Sequence, residues 1–397
     1  MLKVPIEQAR PGMILARSVP NPEKPNHTLL KSAYQLDEDL IARLRSLHIP
    51  CLWVRYPSLD FLDDVLDPET VRQQQDIYGS LKDQFSASQQ ISQAKVNYAV
   101  YIGQVSLLFQ HLLDTRHQSS TFINELHGQA DDVLLHGTTV AYLALLLGMR
   151  LDAYIVRQRP KVPPHLAMDL TPLGVGCLLH DIGKLQLPPE QRCFHLSAQN
   201  MGDPSWQEHT EAGFEMVQGG LDPTAAQVVF NHHQHYDGSG FPARTTQPGL
   251  SDQLVPLQGD QIHIFCRIAA IANRFDGFRK MPDGRNGPAI VALHRLHKPG
   301  YRKWFDPTVF DAFLQTVPPF APGEMLELNN GQTAVVIETN EREPCRPLVR
   351  PIDPQRAQEP DQPPPEPDAN QHDINLAIRS DLFVKKVDGY DVSDYLY

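Results

Sequence analysis

The chain has no paired-cysteine motif, no long apolar run and no excess of basic residues, and each lack removes a class of function. Its five cysteines, Cys51, Cys177, Cys193, Cys266 and Cys345, are scattered and odd in number. They read as reduced, mostly buried thiols, not as a disulfide frame or a CxxC zinc cluster. No apolar run reaches the roughly 18 residues needed to cross a bilayer, and VAYLALLLGM at 140–149 is of core-helix length. No membrane segment is therefore expected. The opening MLKVPIEQARPGM has no apolar signal-peptide core, so a cytoplasmic location is the expectation. A net charge of −12 argues against DNA as a partner, because such proteins carry a basic face. It leaves room for a small phosphate ligand, since bound metal ions invert the local field of an acidic protein. No receiver-like, PAS-like or transmembrane sensor segment is evident, so no input signal can be named.

Histidine is what the chain has in quantity. There are 17, and His195, His209, His232, His233 and His235 crowd into one short stretch. Two compact motifs concentrate the chemistry. CLLHDIGKLQLP at 177–188 sets His180 beside Asp181, and NHHQHYDGSGFP at 231–242 sets His232 beside His233. Imidazole and carboxylate are ordinary ligands of a hydrolytic divalent metal. Successive helical residues differ by about 100° in direction, so adjacent pairs on a helix are expected to reach different ions.

Hydrophobic period divides the chain. Residues 1–65 read as a small α/β module, with an amphipathic helix at IARLRSLHI. Residues 66–117 read as a helical linker, and its stretch at 94–115 is a candidate for pairing two copies as a homodimer. Residues 118–316 are strongly helical, with polar side chains inserted singly into apolar faces; a metal is one way to satisfy them. Residues 317–352 change to a strand period, with a hairpin expected at Asn330-Gly331. A Pro-rich acidic linker follows at 353–372. The tail, 373–397, has enough apolar character to dock as a strand or a helix.

The ordered set His136, His180-Asp181, His209, His232-His233 and Asp276 resembles the HD-GYP family of metal-dependent phosphodiesterases, a branch of the HD phosphohydrolase superfamily. HDIGK marks the broad superfamily, and the second motif, HH-x-x-x-D-G-S-G-F-P, makes the resemblance specific. It covers roughly residues 118–316. The fold it implies is mainly α: an all-helical HD-type domain flanked by the N-terminal α/β module and a short C-terminal β segment.

The resemblance implies metal ligation by His136, His180, Asp181, His209, His232 and His233, with two or three divalent ions, iron or manganese. Asp132, one turn before His136, reads either as a carboxylate for a third ion or as a solvated charge near a helix start. Asp181 would bridge two ions, and Lys184 would contact substrate phosphate; its plainer reading is a solvent-facing lysine at a helix end. Gly238 and Gly240 would let the loop approach substrate. Phe241 stands where the pattern has tyrosine, and Gln234 where it has glutamate. His195 and His235 have no counterpart and are expected at the surface. The departure with most consequence is Asn273, where the family has a ligating aspartate; its amide oxygen can coordinate but brings no charge. Asp276 matches a second aspartate, associated with substrate or outer contacts. Arg279, Lys280 and Arg285 are candidates for phosphate or base contacts, with Arg285 named for substrate.

Two functions follow. The first is hydrolysis of cyclic di-GMP, a bacterial signalling nucleotide, by water bridging two ions and attacking phosphorus in line. The second is a catalytically weak or inactive module that binds cyclic di-GMP, a related nucleotide or protein partners in signalling.

Overall fold

The computed structural model describes residues 1–22, 24, 27–56, 59, 61–62, 67–86, 97–115, 133–188, 192, 202–243, 245–246, 254–281, 286–358 and 372–397. Helices dominate it, and the mainly α expectation holds. At the N-terminal end strands β1 (Leu2–Pro5) and β2 (Cys51–Val54) pair antiparallel around helix α1 (Glu38–Ser46). Asp37 caps α1 by accepting the Leu40 N–H at 2.8 Å. Ile41 and Leu44 turn inward from it, the spacing of an amphipathic helix.

Helices α2 (Pro68–Ser86) and α3 (Tyr98–Asp114) belong to the main helical body. Their Ile77, Leu81, Tyr101, Val105 and Leu108 share one core with α4 (Val133–Arg150). Every residue of α4 from Leu135 to Met149 is buried, as a helix apolar on all sides must be. Among the described residues it alone is long and apolar enough to cross a bilayer, yet 83% of that apolar window is buried inside the protein. The other long helices are α5 (Thr171–Leu178), α6 (His209–Val217), α7 (Pro223–Asn231), α8 (Ile264–Arg279), α9 (Ala289–His297) and α10 (Pro307–Thr316). Helices α5, α8 and α10 pack on α4, α7 packs on α5, and α6 packs on α7.

A six-stranded antiparallel sheet follows, built from β3 (Met325–Leu328), β4 (Thr333–Glu338), β5 (Leu348–Pro351), β6 (Ile374–Asn375), β7 (Val384–Val387) and β8 (Tyr390–Asp391). Its order is β6-β5-β4-β3-β7-β8. The hairpin expected at Asn330-Gly331 joins β3 to β4, with Leu326 opposite Ala334 and Gly331 at φ 83°. The tail docks as strands at both edges of this sheet. Alternation along the strands serves two cores. Met325 and Val335 join Leu2, Val4 and Leu15 of the N-terminal module, while Leu326 and Val336 face Ile290 and Val291 of α9. Segments 1–65 and 325–357, far apart in sequence, thus share one core. Most of the Pro-rich stretch, 359–371, lies outside the described residues.

Candidate metal centre

Helix ends deliver most of the imidazoles. His180 and Asp181 lie just beyond α5, whose C-cap is Leu179. His232 is the C-cap of α7, and His233 follows it. The two pairs are therefore not presented from consecutive helical positions, as the sequence led us to expect; they sit where the helices stop and the backbone turns. His209 opens α6, and His136 projects from the first turns of α4.

One local device orients three of these rings. His180 Nδ1 donates to the Cys177 carbonyl at 2.7 Å, His209 Nδ1 to Trp206 at 2.5 Å, and His232 Nδ1 to Val229 at 2.8 Å. Each acceptor lies three residues earlier. The carbonyls of a terminating helix have no intrahelical partner, and the imidazole N–H supplies one. A carbonyl can only accept, so Nδ1 holds the proton and Nε2 of each neutral ring is left with a lone pair. His136 reaches the same state by another route, with Nδ1 2.7 Å from the Asp276 carboxylate.

The lone pairs converge on Asp181. Its Oδ1 is 3.4 Å from His209 Nε2 and 3.6 Å from His232 Nε2; its Oδ2 is 3.3 Å from His180 Nε2 and 3.7 Å from His136 Nε2. His209 Nε2 and His232 Nε2 stand 3.4 Å apart. His180 Nε2, Asp181 Oδ1 and both nitrogens of His233 are buried with no hydrogen-bond partner among the described residues. Burial pushes His136, His209 and His233 below the ordinary imidazole range, and His232 down to about 4. Burial alone would raise Asp181, but the nearby His180 and Lys184 outweigh it and hold the carboxyl well below its usual range. Acceptors facing acceptors in a dry site cost free energy unless a cation lies between them. A divalent ion fits this donor set. Ligand atoms from Asp181, His209, His232 and His233 lie within 4.8 Å of one another, as do those from His136, His180 and Asp181. Asp181 belongs to both groups.

A backbone contact allows the arrangement. A Cβ on Gly183 would lie 2.0 Å from the His209 carbonyl oxygen and 2.5 Å from the Gly213 nitrogen. Only glycine lets the turn carrying Asp181 approach the start of α6 so closely.

The other expected site residues divide. Lys184 is buried, not solvent-facing: its Nζ is 2.7 Å from Asp181 Oδ2 and 5.0 Å from the centre of the Trp206 ring. Asn273 is buried on α8, with its amide oxygen 3.0 Å from His136 Nε2. Asp276 is buried behind His136, and its other oxygen is 3.8 Å from Arg279 Nη1. A carboxylate so placed can orient the His136 ring. Gly238 takes φ +78°. A Cβ on Gly240 would lie 2.4 Å from both the His233 oxygen and the His235 nitrogen, so this loop closes on the backbone of those two histidines. Lys280 is buried at the end of α8. Asp132, Arg285 and His195 lie outside the described residues.

His235 corrects a surface expectation. It is 4% exposed, stacked on Trp304 at 4.1 Å, with Nδ1 3.0 Å from Ser239 Oγ. Gln234 uses both ends of its amide: Nε2 donates to the Pro242 carbonyl at 2.7 Å, and Oε1 accepts the Leu257 N–H at 2.9 Å. A glutamate would have no proton for Pro242, so the departure from the family pattern suits this loop. Phe241 stacks on His233 at 4.5 Å.

Two buried residues escaped sequence reading. Trp206 contributes a carbonyl to His209 and walls the site beside His209, His233 and Lys184. Arg274 lies over Trp304 at 5.1 Å and is buried, which lowers it to about 10. The one signal for Trp206 was its position a turn before His209; nothing marked Arg274.

Residues 167–309 match the HD domain family. Over 222 residues the chain is 25% identical to the cyclic di-GMP phosphodiesterase PA4108 of Pseudomonas aeruginosa, covering 54% of this chain and 47% of that protein. It is 36% identical over 103 residues to the 3'3'-cGAMP-specific phosphodiesterase 2 of Vibrio cholerae, covering 25% of this chain and 17% of that protein. It is 27% identical over 142 residues to the cyclic di-GMP phosphodiesterase response regulator RpfG of Xanthomonas campestris pv. campestris, covering 34% of each. The chain thus spans less than half the length of these relatives. With the buried histidine–aspartate cluster and the GSGFP loop, these matches define an HD-domain protein. Within that class, the order of its histidine and aspartate motifs resembles the HD-GYP branch.

Proposed function

We propose that the chain is a metal-dependent phosphodiesterase acting on a cyclic dinucleotide, with cyclic di-GMP as substrate. One observation carries the reading: buried lone pairs of His136, His180, Asp181, His209 and His232, with the His233 ring beside them, converge on a common space next to the Lys184 ammonium. Iron or manganese suits a set rich in imidazole and poor in carboxylate. Divalent ions held there would supply Lewis acidity toward a phosphoryl oxygen and toward water.

The chain's own residues do the rest. Asp181 joins the two halves of the centre through its two oxygens. The carbonyls of Cys177, Trp206 and Val229 fix the tautomers, so no proton must leave before a ligand binds. Asp276 holds His136 in the same way. Trp206 and Phe241 cover one side and exclude water there, which strengthens every charge interaction within. Lys184 is the cation nearest the shared carboxylate, placed to meet charge that develops on phosphate.

A second reading, binding without turnover, is favoured by Asn273, which offers an amide where a carboxylate would complete the ligand set. Purification under reducing, anaerobic conditions, metal analysis, and assays with cyclic di-GMP and 3'3'-cGAMP separate the two. Turnover that disappears in His180→Ala/Asp181→Ala supports the phosphodiesterase. Bound metal and bound nucleotide without turnover, with activity gained on Asn273→Asp, supports the binding module.

A further inference from the structure

The two halves of the centre differ in how far the protein satisfies them by itself. On the side of His209, His232 and His233, Asp181 Oδ1 and both His233 nitrogens have no hydrogen-bond partner among the described residues, and two imidazole lone pairs face each other at 3.4 Å. On the side of His136 and His180, the ammonium of Lys184 already sits 2.7 Å from Asp181 Oδ2. His136 Nε2 faces the Asn273 amide at 3.0 Å. An amide, unlike a carboxylate, can turn about its last bond and donate an N–H to that lone pair. Among the described residues, His180 Nε2 on this side, and Asp276 Oδ1 behind His136, are buried without a hydrogen-bond partner.

Resting on the metal-centre reading above, we infer that the two halves load divalent metal in order. The His209/His232/His233 half takes an ion tightly. The His136/His180 half takes a second ion weakly, because that ion must displace the Lys184 ammonium from Asp181 and the Asn273 amide from His136. Its ligands would carry one shared negative charge, already countered by lysine. The second ion is thus a reversible, concentration-dependent ligand of this chain, and Lys184 and Asn273 set its threshold.

The test is Mn²⁺ binding to metal-free, full-length protein, read by elemental analysis after desalting, by calorimetric titration and by the exchange-coupled EPR signal of a Mn²⁺ pair. The wild type is expected to retain one ion per chain. It should bind the second at least about tenfold more weakly, as an unreplaced charge at ligand distance implies. Asn273→Asp is expected to retain two ions and to show the coupled signal. Lys184→Met is expected to tighten the second step. Two ions of equal affinity in the wild type, or a second step unmoved by Asn273→Asp, overturns the ordered loading and leaves the metal centre standing. No retained ion in any form overturns the metal-centre reading, and this inference with it.

Discussion

Asp181 is 1% exposed, with an ammonium on one oxygen and two imidazole lone pairs facing the other. Asp181→Ala strands Lys184 in a dry site. Removing one partner of a buried ion pair costs about 3–5 kcal/mol. Metal-free Asp181→Ala is expected to unfold at lower urea by that amount and to retain no metal; an unchanged urea midpoint would show that the pair is not buried in solution. Acidification acts on the same cluster through the rings. His232 titrates at about 4 in the folded protein, against roughly 6.5 in an unfolded chain. Between those values the unfolded state binds the extra proton, so stability is full above about pH 6.5 and is lost as pH falls toward 4. His209 and His233 are displaced in the same direction by burial. Urea unfolding of metal-free protein is expected to lose on the order of 3 kcal/mol or more across that window; a flat profile there would sink the picture of neutral, buried imidazoles.

At the scale of elements, the centre depends on helices that stop at the right residue. α5 and α7 each end at one of the two pairs, His180-Asp181 and His232-His233, and the terminal carbonyls hold the rings. Partial negative charge at helix C-termini also favours a cation there. The turn after α5 must lie against α6, and Gly183 sets that separation. Gly183→Ala forces a methyl group against backbone atoms at 2.0 and 2.5 Å, which no side-chain rotation relieves. Overpacking of this kind costs about 1–3 kcal/mol or more. It should also move His209 away from Asp181, so metal affinity should fall together with thermal stability. Lost stability with full metal affinity would mean that α6 shifts without carrying the ligand. Much of this was legible. HDIGK and HH-x-x-x-DGSGFP named His180, Asp181, His232 and His233, the ordered set added His136 and His209, and the fold brings these six together. The Nδ1-to-carbonyl contacts were not legible, because they depend on where each helix terminates, and boundaries are weakly encoded in pattern.

Across the whole molecule, the N-terminal module and the C-terminal sheet form one unit that the order of segments hides. Tyr56 joins them: its hydroxyl donates to the Asp353 carbonyl at 3.1 Å and accepts the Asp353 N–H at 3.2 Å. Tyr56→Phe leaves both backbone groups without that partner and is expected to cost about 1–2 kcal/mol. Metal retention should stay at the wild-type value, since none of these groups reaches the centre; loss of metal would show that the two units are coupled. By itself, the sequence determined the helical class, the residue types of the candidate centre and the family resemblance, because these rest on local period and on motifs a few residues long. Tertiary structure alone decided that Lys184 lies on Asp181, that Asp276 stands behind His136, that His235 is buried and that Trp206 walls the site. The Lys184–Asp181 pair spans only three residues and is decided by burial; the other facts depend also on contacts between residues far apart in the chain. Which half of the centre the protein satisfies by itself turns on that local pair and on the long-range contact of Asn273 with His136.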